Sequence, residues 1–188
     1  MAPKKRIWEA RQGSRESYRN NENSRKVKTR RKKKNSCRFK IMYANCRGAK
    51  GKKTSLSGIV EEIDPDIIVL NETMYRNNEE SKLKAYKSYT NNREDRSGGG
   101  IEILVRNSVK NKTVKVSEGS EHIEELTVRT ETKKRAVNII SMYGMIEGRG
   151  NKEKITNQFA HLEELIQNIE KAGEDYILVG DLNANREN

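Results

Sequence analysis

Five polar side chains stand where apolar runs stop, and their types suit one kind of chemistry. Asp181 and Asn183 follow Ile177-Leu178-Val179 across a break at Gly180; Glu72 follows Ile67-Ile68-Val69-Leu70-Asn71; Asn45 and Tyr143 each end an alternating stretch. Asp181 and Asn183, two apart on an extended chain, are expected to point to the same side. Carboxylates with an amide neighbour are hard oxygen donors, the set that Mg²⁺ accepts while keeping several waters. Beside a phosphodiester such an ion offsets charge developing on the phosphate or the leaving oxygen, while Asp181 orients or deprotonates the attacking water. Taken singly, each residue has an ordinary reading: Asn45 and Gly180-Asp181 as turn residues, Glu72 as a solvated carboxylate, Tyr143 as a ring over a sheet edge. Their joint placement favours chemistry, because sites in open α/β sheets gather at the carboxyl ends of strands.

The elements that must position these groups are legible from hydrophobic period. Phe39, Ile41 and Tyr43 alternate with Lys40, Met42 and Ala44, which predicts a first strand ending near Asn45. Thr54 or Ser55 is expected to cap a helix with Leu56, Ile59, Val60 and Ile63 on one face, stopped at Asp64-Pro65. Residues 66–71 form a buried strand, and the helix between it and the first strand makes the pair parallel in one sheet. Tyr86 and Tyr89 anchor a short strand or loop. Gly98-Gly-Gly100 opens a strand over 101–105, and strands near 112–116, 123–130 and 136–143 follow at spacings that suggest antiparallel neighbours. A helix over 152–171 carries Ile155, Phe159, Leu162, Ile166 and Ile169 on one face and closes at Gly173.

Charge is unevenly spread along the 188 residues. Residues 1–34 hold 14 Lys/Arg and 3 Asp/Glu, a net of +11, whereas the remaining 25 basic and 24 acidic residues net +1. The first 37 residues are expected to be a disordered basic tail, too poor in aliphatic side chains to offset chain entropy, ahead of a domain over 38–188. Lys4, Lys5, Arg6, Arg30, Arg31, Lys32, Lys33 and Lys34 form two basic runs that fit nucleic-acid phosphates by counterion release, or a nuclear import signal. No apolar run reaches membrane-spanning length, and Cys37 and Cys46 match no metal-ligand or redox spacing.

The motifs Tyr-Ala-Asn45-Cys-Arg-Gly48, Pro65-Asp-Ile-Ile-Val-Leu-Asn-Glu72-Thr73, Ser97-Gly-Gly-Gly-Ile101, Ser-Met-Tyr143 and Leu178-Val-Gly-Asp181-Leu-Asn183-Ala184 occur in a telling order. In that order and rough spacing, residues 38–188 resemble the endonuclease/exonuclease/phosphatase family. They are most similar to the apurinic/apyrimidinic-type endonuclease domain of non-LTR (LINE-type) retrotransposons. The resemblance implies an α+β fold, a partial four-layer α/β/β/α sandwich of the DNase I-like kind. It also implies phosphodiester hydrolysis with Mg²⁺ or Mn²⁺. On matching positions Glu72 would bind the ion with Asn45 assisting, Asp181 would act on the attacking water, and Asn183 and Tyr143 would stabilise the phosphate. The expected partner is DNA, with RNA as the alternative, no membrane is involved, and the expected compartment is the nucleus, with the cytoplasm as the alternative.

Two departures accompany the resemblance. The family often has proline soon after the tyrosine, whereas here Gly144 follows Tyr143. The family also continues through further strands to a Ser-Asp-His motif, and neither His122, at the start of a strand, nor His161, within a helix, can take that histidine's role by order. Both histidines read as structural or solvated. The expectation is therefore a sandwich lacking its last strands, with an exposed sheet edge, an incomplete phosphate-binding half and impaired or absent activity. Two alternatives are a non-catalytic nucleic-acid-binding fragment acting through the basic tail and a phosphodiesterase of the same fold with another substrate.

Overall fold

The computed structural model describes residues 39–92, 98–116, 124–132, 134–144 and 152–183. The expected tail, with its eight basic candidates, lies outside the described residues, as do Cys37 and His122.

Among the described residues the chain runs β1 (Ile41–Asn45), α1 (Lys53–Ile63), β2 (Ile67–Asn71), β3 (Tyr86–Asn91), β4 (Ile101–Arg106), β5 (Lys110–Val116), β6 (Glu124–Glu131), β7 (Ala136–Tyr143), α2 (Lys152–Lys171) and β8 (Asp175–Asp181). The strands form two sheets, ordered β1-β2-β4-β3 and β5-β6-β7-β8. The β1-β2 and β7-β8 pairs are parallel and every other pair is antiparallel. Each parallel pair spans a helix, because only a crossover can return the chain to the same end of a sheet. Across the gap β1 lies against β8, β2 against β7 and β8, β4 against β6 and β7, and β3 against β6 and β5, a face-to-face packing of two sheets.

The period-two alternation of the strands builds three apolar layers. Ile67, Val69, Ile101, Ile103, Val105, Leu126, Val128 and Ile139 face the gap between the sheets. Ile68, Leu70 and Leu104 point the other way, against Val60 and Leu56 of α1. Ile140 and Met142 meet Leu162 and Ile169 of α2. This is the α/β/β/α order of layers. Inner strand β2 is covered on both faces and buried along its whole length, hence its unbroken apolar run. Each large aliphatic side chain buried in this way contributes about 1.5–3 kcal/mol. No described helix is long and apolar enough to cross a membrane.

Three local expectations are corrected. Helix α1 begins at Lys53 after a 3₁₀ turn over Lys50–Lys52, and no side chain caps it, so Thr54 and Ser55 lie inside the helix. Its buried stripe runs through Leu56, Val60 and Ile63, leaving Ile59 exposed on the flank. On α2, Phe159 is 39% exposed while its neighbour Gln158 is only 2% exposed. The cause lies in the sheet beneath, which presents the fully buried carboxylate of Glu125 on β6, and His161 Nε2 reaches its Oε2 at 2.7 Å. Part of this helix thus covers polar groups, and its facing stripe is rotated accordingly.

Candidate active site

The alternation that fills the gap with aliphatic side chains continues to the carboxyl ends of four strands, where the gap-facing residues turn polar. Asn45 ends β1 opposite Asn71, the last residue of β2. Tyr143 ends β7 opposite Asp181, the last residue of β8. Glu72 follows β2 directly. Each βαβ unit therefore delivers its polar residues to the same end of the sandwich, one unit from each sheet.

Hydrogen bonds join the two halves. Asn45 Nδ2 donates to Glu72 Oε1 at 2.8 Å and to Asp181 Oδ2 at 3.4 Å. Tyr143 OH donates to the same Glu72 Oε1 at 3.1 Å. Four of the five candidates read from the sequence are thus within one connected cluster. Asn183 joins it by a different route from the one its spacing suggests. Strand β8 ends at Asp181, Asn183 adopts a left-handed backbone (φ 48°), and its N–H donates to Asp181 Oδ1 at 3.1 Å. Its side chain turns to Gly144 O at 2.8 Å. Asn183 therefore braces Asp181 and Gly144, in place of the extended chain that its spacing predicts.

Glu72 also has a left-handed backbone (φ 53°), a conformation that costs a non-glycine residue roughly 1–3 kcal/mol and persists only where surroundings impose it. The surroundings are explicit: Gly48 N donates to Glu72 O at 2.8 Å, and Thr73 N donates to Gly100 O at 3.1 Å. Gly100 has φ 88°, and a Cβ there would stand 2.5 Å from Thr73 Oγ1, so the glycine run is what lets β4 approach this turn. Gly144 has a comparable duty, since a Cβ would lie 2.1 Å from Leu182 O. The absence of the proline usual after the tyrosine thus goes with close backbone packing between Gly144 and Leu182.

Several groups with a part in the site were not singled out by sequence. Asn71, fully buried, donates from Nδ2 to Met142 O at 2.8 Å and accepts from Ser141 Oγ at 2.8 Å. Tyr43 shares the parity of Asn45 on β1 and was read as a strand residue only. Burial, then the negative charges of Asp181 and Glu72, push its phenol up to about 12. The Tyr143 phenol is also raised, chiefly by burial and then by its bond to Glu72, while an Asn183 hydrogen bond opposes the shift. The period-two signal could have placed Tyr43 beside Asn45, but no local pattern reports the partner of Asn71 seventy residues away.

Electrostatically the centre is two carboxylates, Glu72 and Asp181, drawn to one amide. Their hydrogen-bond partners among the described residues are Asn45, Tyr143 and the Asn183 backbone, none of them cationic. Converging carboxylates without a counter-charge favour a cation. The donors are hard oxygens, and one or two carboxylates completed by waters and phosphate oxygens suit Mg²⁺ or Mn²⁺. Among the described residues no three His, Cys, Asp or Glu side chains converge closely enough to hold a metal ion by themselves, so a cage made wholly of such side chains is not on offer there.

Comparison with solved structures places this arrangement in a known fold. The AP endonuclease LMAP from Leishmania major matches with a TM-score of 0.62 and 17% identity, over 78% of this chain and 55% of that one. TDP2 from C. elegans matches with a TM-score of 0.60 and 19% identity, over 78% and 48% of the two chains. NExo, a 3′ phosphatase from Neisseria bound to a product DNA hairpin, matches with a TM-score of 0.54 and 19% identity, over 78% and 58%. The chain thus spans between about half and three fifths of the length of these structures. No curated protein matches it in sequence. Residues 42–187 match the endonuclease/exonuclease/phosphatase family, and the chain, with its DNase I-like sandwich, belongs to that family.

Proposed function

We propose that this domain hydrolyses phosphodiesters with Mg²⁺ or Mn²⁺ and nicks DNA, in the manner of the endonuclease domains of non-LTR retrotransposons. The observation that carries the reading is the meeting of Asn45, Glu72, Tyr143 and Asp181 across the gap, two carboxylates with neutral donors between them. Glu72, with Asn45 beside it, would hold the divalent ion. When bound, the ion supplies positive charge next to the phosphate and the leaving oxygen. Asp181 orients and deprotonates the attacking water. Its Oδ1 is engaged by the Asn183 N–H, which fixes the carboxylate's orientation. The raised Tyr143 phenol stays protonated at neutral pH, so it can donate to a phosphate oxygen. Asn183 donates to Gly144 O beside Tyr143, and by the family resemblance it would also stabilise the phosphate.

DNA as the substrate is supported by the NExo complex with its DNA hairpin. The net charge of +11 over residues 1–34 supports it too: Lys4, Lys5, Arg6 and Arg30 to Lys34 would neutralise backbone phosphates and release counterions. The retrotransposon assignment and a nuclear location rest on the ordered motifs and the basic runs.

The test is conversion of supercoiled plasmid to open circles. Whatever nicking this chain supports, expected to be impaired, requires Mg²⁺ or Mn²⁺, stops with chelator, and falls on Glu72→Ala or Asp181→Ala. Equal nicking by wild type and both variants would sink the reading. Should the wild type bind DNA without nicking it, with a steep salt dependence that deletion of residues 1–37 removes, the tail-borne binding function takes its place.

A further inference from the structure

Directly behind the cluster a planar amide, that of Asn71, crosses the gap between the sheets, and at the same level Asn91 on β3 donates from Nδ2 to Glu125 O on β6 at 2.9 Å. Asn71 occupies a position on inner strand β2 whose gap-facing predecessors are Ile67 and Val69, and it is fully buried. Its two ends are used on β7, Nδ2 to Met142 O and Oδ1 from Ser141 Oγ, both at 2.8 Å. An aliphatic residue would serve burial as well there, so the amide answers a different requirement. Packing among Ile67, Val69, Leu126 and Ile139 is non-directional and tolerates small slides of one sheet over the other. Two hydrogen bonds on one amide are directional and do not. The tie also has a telling address: Asn71 immediately precedes Glu72, Ser141 lies two residues before Tyr143, and Tyr143 donates to Glu72 at 3.1 Å.

We infer that Asn71 and Ser141 form a positioning pair that sets the separation of the two half-sites, Asn45 and Glu72 on one sheet and Tyr143, Asp181 and Asn183 on the other. The consequence for catalysis rests on the proposed function, since an ion and a phosphate that engage both halves require one fixed spacing. The spacing itself is a property of the fold.

The experiment separates stability from position. Asn71→Leu leaves the Ser141 hydroxyl and the Met142 carbonyl without their partner and is expected to lower Tm. Adding Ser141→Ala removes the stranded hydroxyl and is expected to recover much of that loss. Position is read from 3-fluorotyrosine at residue 143. One sharp ¹⁹F resonance is expected in the wild type, and a shifted or broadened one in both Asn71→Leu and the double variant. The Mn²⁺ dissociation constant, followed by EPR, is expected to rise by about 10–100-fold in the same two variants, the usual effect of losing a residue that orients metal ligands. Val105→Ala, in the gap at the opposite end of β2, lowers Tm but leaves resonance and Mn²⁺ affinity unchanged. A double variant with the wild-type resonance overturns the inference. Where Asn71→Leu does not fold, Ser141→Ala alone, which keeps the bond to Met142, gives the same readings at smaller amplitude. An inactive wild type with the expected resonance changes overturns the proposed nuclease function and leaves the positioning inference standing.

Discussion

The two halves of the site share a topology but are held differently. In the β1-β2 half, the loops continue the pairing of their strands: Cys46 N, Gly48 N and Ala49 N donate to the carbonyls of Asn71, Glu72 and Thr73, and Met74 N donates to Gly99 O. Strand β2 is interior to its sheet and buried throughout. In the β7-β8 half, Asp181 sits on β8, which has one paired neighbour among the described residues and alternates between exposed and half-buried positions. Helix α2 above it rests partly on the polar Glu125 and His161 contact. The proposed ion-holding carboxylate is thus fixed from several sides, while the proposed water-activating carboxylate is held by one neighbouring strand, the single Gly144 N–H to Asp181 O bond that continues its pairing, the Asn183 turn and the Asn45 amide. The lesson is that a site assembled from two similar βαβ units need not be equally rigid on both sides.

The largest test of that difference is kinetic. Glu72→Ala is expected to raise the divalent-ion concentration needed for nicking, whereas Asp181→Ala lowers kcat at saturating ion by about 10²–10⁴-fold, the range for loss of a general base. Identical ion dependence in the two variants would erase the division of labour. A smaller effect concerns stability. Leu70→Ala, in the buried strand under α1, is expected to cost about 2–5 kcal/mol in chemical denaturation, and Leu178→Ala, half-buried on the edge strand, less than half as much. Equal losses would show that β8 is held as firmly as β2. The smallest effect is in alkali. The folded state keeps the Tyr43 phenol protonated to about 12 against an ordinary 10.0, so between those pH values it binds more protons than the unfolded chain, and stability falls as pH rises through that window. Tyr43→Phe is expected to flatten that part of the curve.

Local pattern carried much of the fold into view. Strand β7 over 136–143 and helix α2 over 152–171 have the bounds that apolar period and Gly173 suggest, and the parallel β1-β2 pair follows from the intervening helix. The five candidate side chains are also legible, because each stands where a buried run stops.

What the chain determines locally is where strands and helices begin, which parity of residues faces a core, and which polar groups stand at the strand ends. Period and turn chemistry act over a few residues, so a sequence displays them directly. Tertiary structure alone decided that Asn45 reaches Asp181, 136 residues away, that Asn71 spends its amide on β7, and that Gln158 rather than Phe159 faces inward. The reason is physical: each depends on the packing of one sheet on the other or of a helix on a sheet, and on buried polar groups finding partners there, a requirement that leaves no periodic trace in the chain.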